Sequence, residues 1–281
     1  MVASLAPSRS VELAGATVVV TGGASGIGFG LAQAFRDAGS LVVIADVDEA
    51  ALEGAADTLG VAGVATDVTD PASVARLAEH VMAEHGAVHV VCNNAGVGPL
   101  GSIAEMTLDD WSFVLSVNLQ GVVNGVHAFL PLLERNRDWG HVVNTSSIAA
   151  LISPPRAGAY VASKAAVLGL TEVLAAELRA AGSKVGATAL LPGTVRTNIR
   201  HSLRNRGPVE DSGLQEVDLE KERPESRFIE PAEVGALVLD AVRRDELYVV
   251  THPELLPLIA EHRARFLAGA ARTTPRRGPD R

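Results

Sequence analysis

The chain has 281 residues, 47% of them hydrophobic, a formal net charge of −9 and a single cysteine. That is enough apolar material for one large core, and an α/β domain of this length need not divide. The acidic balance excludes a general nucleic-acid surface, the lone Cys92 excludes an internal disulfide, and the eight histidines show no spacing that would hold a catalytic metal.

Taken in chain order, strands and helices alternate without an internal repeat. Val18, Val19 and Val20 form a buried strand over 17–21, followed at once by Thr21-Gly22-Gly23-Ala24-Ser25-Gly26-Ile27-Gly28 and a helix over 26–38. A glycine turn between a strand and a helix directs backbone N–H groups and the helix N-terminus at a pyrophosphate. A second strand over 41–45 ends at Asp46, eighteen residues beyond Gly28. A carboxylate there accepts from a ribose 2′-hydroxyl and repels a 2′-phosphate, and Ser25 offers no cation, so the pattern predicts NAD rather than NADP. A helix over 48–59, a strand over 62–66, a helix over 71–85 and a strand over 88–92 follow, with Cys92 a small buried hydrophobe before Asn93-Asn94-Ala95-Gly96. The next helix is read over 108–135 and the next strand over 141–145, followed by Ser146 and Ser147.

The helix over 158–181 carries Tyr160 and Lys164, four residues apart and therefore on one face. An ammonium beside a phenol favours the phenolate. Bringing a tyrosine from ~10 to about 7 takes roughly 4 kcal/mol, which the lysine and a positively charged nicotinamide together can supply. A phenol, an ammonium and a dinucleotide turn point to hydride transfer coupled to proton transfer.

Beyond a strand over 185–191 lies Pro192-Gly193-Thr194-Val195-Arg196-Thr197, and then a charged, Gly- and Pro-containing segment, 200–227, that reads as a lid ordering over substrate. Its apolar residues are Leu203, Val209, Leu214, Val217 and Leu219. Arg196, Arg200, Arg204 and Arg206 have two readings, recognition of a substrate carboxylate or a solubilising surface, and the surface reading is preferred. A helix over 231–243, a strand over 247–250, an added helix over 254–268 and a disordered basic tail over 271–281, with Arg272, Arg276, Arg277 and Arg281, complete the chain. Met1 to Leu13 lacks a signal-peptide core and no apolar run is read as reaching the ~18 residues of a membrane span, so a cytoplasmic enzyme is expected.

These motifs, in this order, resemble the short-chain dehydrogenase/reductase family from about Leu13 to about Val250, in the group with Thr-Gly-x-x-x-Gly-x-Gly and Tyr-x-x-x-Lys. The resemblance implies an α/β fold, a Rossmann-type doubly wound parallel sheet of about seven strands with helices on both faces. It implies catalytic roles for Asn118, Ser147, Tyr160 and Lys164, with Ser147 preferred to Ser146 because it precedes Tyr160 by thirteen residues. The cofactor would be held by Thr21, Gly22, Ser25, Gly26, Ile27, Gly28, Asp46, Asp67, Val68, Asn94, Ala95, Gly96, Tyr160, Lys164, Pro192, Gly193, Val195 and Thr197. In the family, Asp67 and Val68 match the pair beside the adenine, Asn94 stabilises the central sheet, and Asn118 holds a water for proton release. A homotetramer or homodimer is implied as well. The region Leu247 to Glu254 is similar to members oxidising aryl or terpenoid secondary alcohols. Oxidation of a hydrophobic cyclic, aryl, steroid or terpenoid-like secondary alcohol is therefore expected. The alternatives are an NAD-dependent epimerase or dehydratase, whose glycine spacing differs, and a non-catalytic dinucleotide sensor, which would not need Ser147, Tyr160 and Lys164.

Overall fold

The computed structural model describes residues 11–206, 209 and 211–272. Seven strands, all parallel, form one sheet in the order β3-β2-β1-β4-β5-β6-β7. They are β1 (Thr17–Thr21), β2 (Leu41–Asp46), β3 (Ala62–Ala65), β4 (Val90–Asn93), β5 (Gly140–Thr145), β6 (Val185–Leu191) and β7 (Tyr248–Val250). Every β1 residue is buried because helices cover both faces, the condition under which a strand reads as an unbroken apolar run. Val18 and Val20 join the core of one face with Leu31, Phe35 and Val238, whereas Val19 joins the other with Leu77, Phe129 and Leu174.

The helices are α1 (Gly26–Asp37), α2 (Glu49–Leu59), α3 (Pro71–His85), α4 (Leu108–Leu115), α5 (Gly121–Leu133), α6 (Ala149–Ile152), α7 (Gly158–Ala180), α8 (Leu219–Glu222), α9 (Pro231–Arg244) and α10 (Leu256–Arg272). Local chemistry sets their ends. Asp48 caps α2 through Ala51 N–H, Asp70 caps α3 ahead of Pro71, and Thr107 and Asp110 close a capping box on α4. The chain builds outward from β1 to β3, then crosses back to β4 on the other side of β1, so a crevice opens at the carboxyl ends of β1 and β4.

Three expectations need correction. The helix over 108–135 is not continuous: Ser116–Gln120 winds as a π-turn between α4 and α5, a local underwinding that periodicity in an apolar stretch does not reveal. Two helical stretches, Leu108–Leu133 and Gly158–Ala180, are long and apolar enough to cross a membrane by length and composition, contrary to the reading that no run reaches that length. In the fold their apolar character serves packing: Phe129 and Leu133 on one, and Leu174 and Leu178 on the other, lie in the core beside the sheet. The added helix reaches Arg272, beyond its expected end, so the tail cannot start at 271; residues 273–281, with Arg276, Arg277 and Arg281, and residues 1–10 lie outside the described residues.

Candidate active site

The glycine turn shapes the floor of the crevice. Gly22 sits at φ +64° and Gly26 at φ +51°, where side chains are strained, and a Cβ on Gly28 would come within 2.0 Å of the Gly22 carbonyl oxygen. The backbone therefore runs tight beneath the N-terminus of α1, leaving room for a ligand against its N–H groups. Thr21 and Asn94 hold this turn to β4. Thr21 Oγ1 accepts from the N–H groups of Asn94 (2.9 Å) and Ala95 (3.1 Å), and Asn94 Nδ2 donates to Thr21 O at 3.0 Å. The hydroxyl of Thr145, at the end of β5, adds a bond to Asn94 Oδ1 at 3.2 Å.

Asp46 lines the wall of the cleft at the end of β2. One carboxylate oxygen accepts from Ala24 N–H at 3.1 Å and the other from Asp48 N–H at 3.2 Å, fixing the group at the end of β2. Gly22, Ser25, Gly26, Ile27, Asp67, Val68, Ala95, Gly96, Pro192 and Thr197 line the same cleft. Gly193 and Val195 line the cavity next to it, and Thr21 and Gly28 are buried behind the turn. A glycine cradle at a helix N-terminus, with a carboxylate fixed at the neighbouring strand end, fits a nicotinamide dinucleotide.

The Tyr160 side chain lies where the cleft meets a second cavity of about 850 Å³, and it lines both. Ser147 faces the second cavity and hydrogen-bonds the Tyr160 phenol. Ser146 is turned away: it is buried and donates to Lys164 O at 2.7 Å, which leaves Ser147 as the serine available to a ligand. Lys164 is 3% exposed, donates from Nζ to Thr145 O at 2.8 Å, and lies 5.9 Å from the Tyr160 ring centre. Asn118 sits in the π-turn, fully buried. Its Oδ1 accepts from Val97 N–H at 2.8 Å, and its amide donates to Val97 O at 2.9 Å and to Ser163 Oγ at 3.2 Å. One amide hydrogen thus braces the segment that follows Gly96 and the other reaches α7.

The lowered phenol expected from the sequence depends on Lys164 and a charged nicotinamide together, and the chain's own burial works against it. Burial pushes Tyr160 above the usual tyrosine value, and the bond from Ser147 offsets this only in part. Burial likewise pulls the Lys164 ammonium down to about 8. Both side chains are desolvated, which favours their neutral forms, and the lysine commits its hydrogen bond to a backbone carbonyl.

The lid also departs from the sequence reading. Arg206 is no surface group: its side chain is 7% exposed, pairs with the buried Asp110 and lies 5.2 Å from the Phe113 ring centre. Burial alone would raise Asp110, but hydrogen bonds from Thr107, Ser212, Arg206 and Gly213 together hold its carboxyl well below the usual carboxylate range. Leu214 is buried with Val97, Val114 and Ala159, and Leu100 and Gln215 exchange backbone hydrogen bonds at 3.0 and 2.7 Å. The near half of the lid is therefore pinned. Thr107-x-x-Asp110 was legible as a capping box, but nothing local marks Arg206 as its partner ninety-six residues on. Arg204 pairs with Asp48 at 3.2 Å, and Arg196 with Glu220 and Glu230, each at 3.1 Å. His201, Ser202 and Asn205, from the 3-10 helix Asn198–Asn205, face the dinucleotide cleft and were missed because the charged segment has no periodicity.

Comparison with known proteins agrees with this geometry. A family model described as short chain dehydrogenase matches residues 16–207. The probable oxidoreductase EphD of Mycobacterium tuberculosis (strain ATCC 25618 / H37Rv) is 37% identical over 268 residues, 92% of this chain but 44% of EphD, so the chain spans less than half the length of that relative. The C alpha-dehydrogenase of Sphingobium sp. (strain NBRC 103272 / SYK-6) is 33% identical over 254 residues, covering 86% of this chain and 82% of the relative. The crystal structure of a short chain dehydrogenase/reductase from Burkholderia phymatum in complex with NAD matches with a TM-score of 0.83 at 36% identity, covering 96% of this chain and 100% of that one. With its seven-stranded parallel sheet, glycine cradle and Tyr160–Lys164 pair, the chain belongs to the short chain dehydrogenase family of oxidoreductases.

Proposed function

We propose that the protein oxidises a hydrophobic secondary alcohol to a ketone with NAD, reversibly. One observation carries this reading: Ser147, Tyr160 and Lys164 meet where a dinucleotide-shaped cleft opens into an apolar cavity of about 850 Å³. Ile148, Ile152, Pro154, Pro155, Phe228 and Leu258 line that cavity, which suits a cyclic, aryl, steroid or terpenoid-like molecule. On its rim Arg196 is paired with Glu220 and Glu230, and Arg227 with Glu233 and Glu254, which favours an uncharged substrate over a carboxylate.

When bound, NAD supplies the hydride acceptor and a positively charged ring. The chain's own residues handle the substrate oxygen and its proton. Ser147 donates to the alcohol oxygen, and Tyr160, ionised to the phenolate beside Lys164 and the charged nicotinamide, takes the hydroxyl proton. Lys164 supplies a positive charge near the phenol and a donor toward the ribose, and Asn118 keeps the Gly96–Val97 segment in place. Asp46 holds the ribose diol and selects against a 2′-phosphate. The far half of the lid, from Val217 to Phe228, closes the cavity against water. Exposed apolar side chains such as Val173 on α7 support a homotetramer or homodimer. NADH formation across cyclic, aryl, steroid and terpenoid secondary alcohols tests the reading. Turnover of at least one such class with NAD is expected, and its absence throughout, with a carboxylate-bearing alcohol turned over instead, would overturn it.

A further inference from the structure

Beside the turn that follows β6, the chain buries a histidine that the chemistry above does not use. His252, just after β7, is 2% exposed and lies so close to Gly193 that a Cβ there would stand 2.5 Å from Nδ1. Its partners fix its tautomer. Nε2 is 3.1 Å from the carbonyl oxygen of Arg227, which can only accept, so the hydrogen-bond network assigns the ring proton to Nε2. Nδ1 is then an acceptor, and the Thr251 hydroxyl, 2.7 Å away, donates to it. That hydroxyl in turn accepts from Gly193 N–H at 3.0 Å. A directed chain thus runs from Gly193 N–H through Thr251 and His252 to Arg227 O, joining three segments far apart in sequence.

We propose that His252 is a positioning residue that anchors both the turn at Gly193 and the returning end of the lid at Arg227, each through its own ring nitrogen. The proposal rests on the reading of Pro192–Thr197 as the nicotinamide seat. The two segments already run side by side, since Val195 and Ile229 form a β-bridge and the Thr194 hydroxyl also donates to Arg227 O. The His252 arm ties both of them to the end of β7 through Thr251, beside the ion pair of Arg227 with Glu254. Because one imidazole serves both arms with different nitrogen atoms, the two can be cut separately.

His252→Asn puts an amide oxygen near the Nδ1 position and keeps an acceptor for Thr251, but cannot reach Arg227. His252→Gln reaches Arg227 with an amide N–H and gives up the acceptor beside Thr251. In the full-length protein, NADH affinity by fluorescence reads the first arm, and deuterium uptake over 217–229 reads the second. His252→Gln should weaken NADH about five- to tenfold with lid uptake near wild type. His252→Asn should leave NADH affinity within about twofold while lid uptake speeds up about tenfold. Thr251→Val, which removes the relay hydroxyl without touching the imidazole, should reproduce the Gln pattern. Variants that move both readouts together, or neither, would overturn the two-armed anchor while leaving the dinucleotide reading intact. A wild type that binds no NADH would overturn that reading and the anchor with it.

Discussion

Burying Lys164 carries a cost that its removal should expose. The ammonium is 3% exposed, makes a hydrogen bond to Thr145 O at 2.8 Å, and is pulled by burial from 10.5 to about 8. At neutral pH both folded and unfolded chains hold this proton, and the fold bears the full penalty of about 3 kcal/mol. As pH rises through about 8 the folded chain releases the proton before the unfolded one does, so stability increases until about pH 10.5 and then levels off. Between about pH 7 and about pH 9.5 the gain is about 2 kcal/mol. Lys164→Met keeps the apolar stem and removes the titration. The variant should therefore start with an advantage near pH 7, reduced by ~1–3 kcal/mol for an unpaired Thr145 carbonyl, and fall behind the wild type by about 2 kcal/mol relative to that start at pH 9.5. Tyr160 acts in the opposite sense, because burial raises it and the unfolded chain ionises first above about 10. Stopping at pH 9.5 keeps that loss small, and the difference between proteins cancels it. Urea unfolding followed by circular dichroism, without dinucleotide, measures the effect. Parallel pH curves for variant and wild type would refute the assignment of a desolvated ammonium to this position.

Tyr160→Phe should lower turnover at least ~100-fold while leaving NADH affinity nearly unchanged, as steady-state rates and fluorescence titration will show. The wild type should prefer NAD in kcat/KM, and Asp46→Ala combined with Val47→Arg should move preference toward NADP, since the carboxylate at the end of β2 is replaced by a neighbouring cation. A wild type that favours NADP would refute this. Arg206→Met should cost about 3 kcal/mol in chemical unfolding, because Asp110 is left buried without its cation, whereas Arg204→Met, at an exposed pair with Asp48, should cost less than ~1 kcal/mol.

Strand positions, most helix positions and the α/β class were legible because parallel strands buried on both faces read as valine-rich runs and because Asp48, Asp70 and Thr107 mark helix starts locally. The pairing of Tyr160 with Lys164 followed from helical spacing, and Ser147 from the thirteen-residue interval that the family resemblance implies. What stayed hidden depends on distant partners. The pairing of Arg206 with Asp110 spans ninety-six residues, and the charge of the lid suggested a solvated surface where the fold buries an ion pair. The depth of burial was likewise hidden: spacing places the lysine near the phenol but says nothing about how completely both are withdrawn from water.

The π-turn at Ser116–Gln120 has a geometric consequence for chain length. A π-turn absorbs one extra residue, so everything after it is set back by ~100° from the phase of an unbroken α-helix. Asp110 and Val114 meet the lid, and Phe129 and Leu133, nineteen residues further on in each case, meet the sheet. Nineteen residues of regular helix would turn these pairs ~100° apart, and the π-turn takes up that angle. Deleting a single residue between Leu115 and Gly121, other than Asn118, should therefore leave a regular helix with both contacts in register, whereas inserting one would rotate them apart.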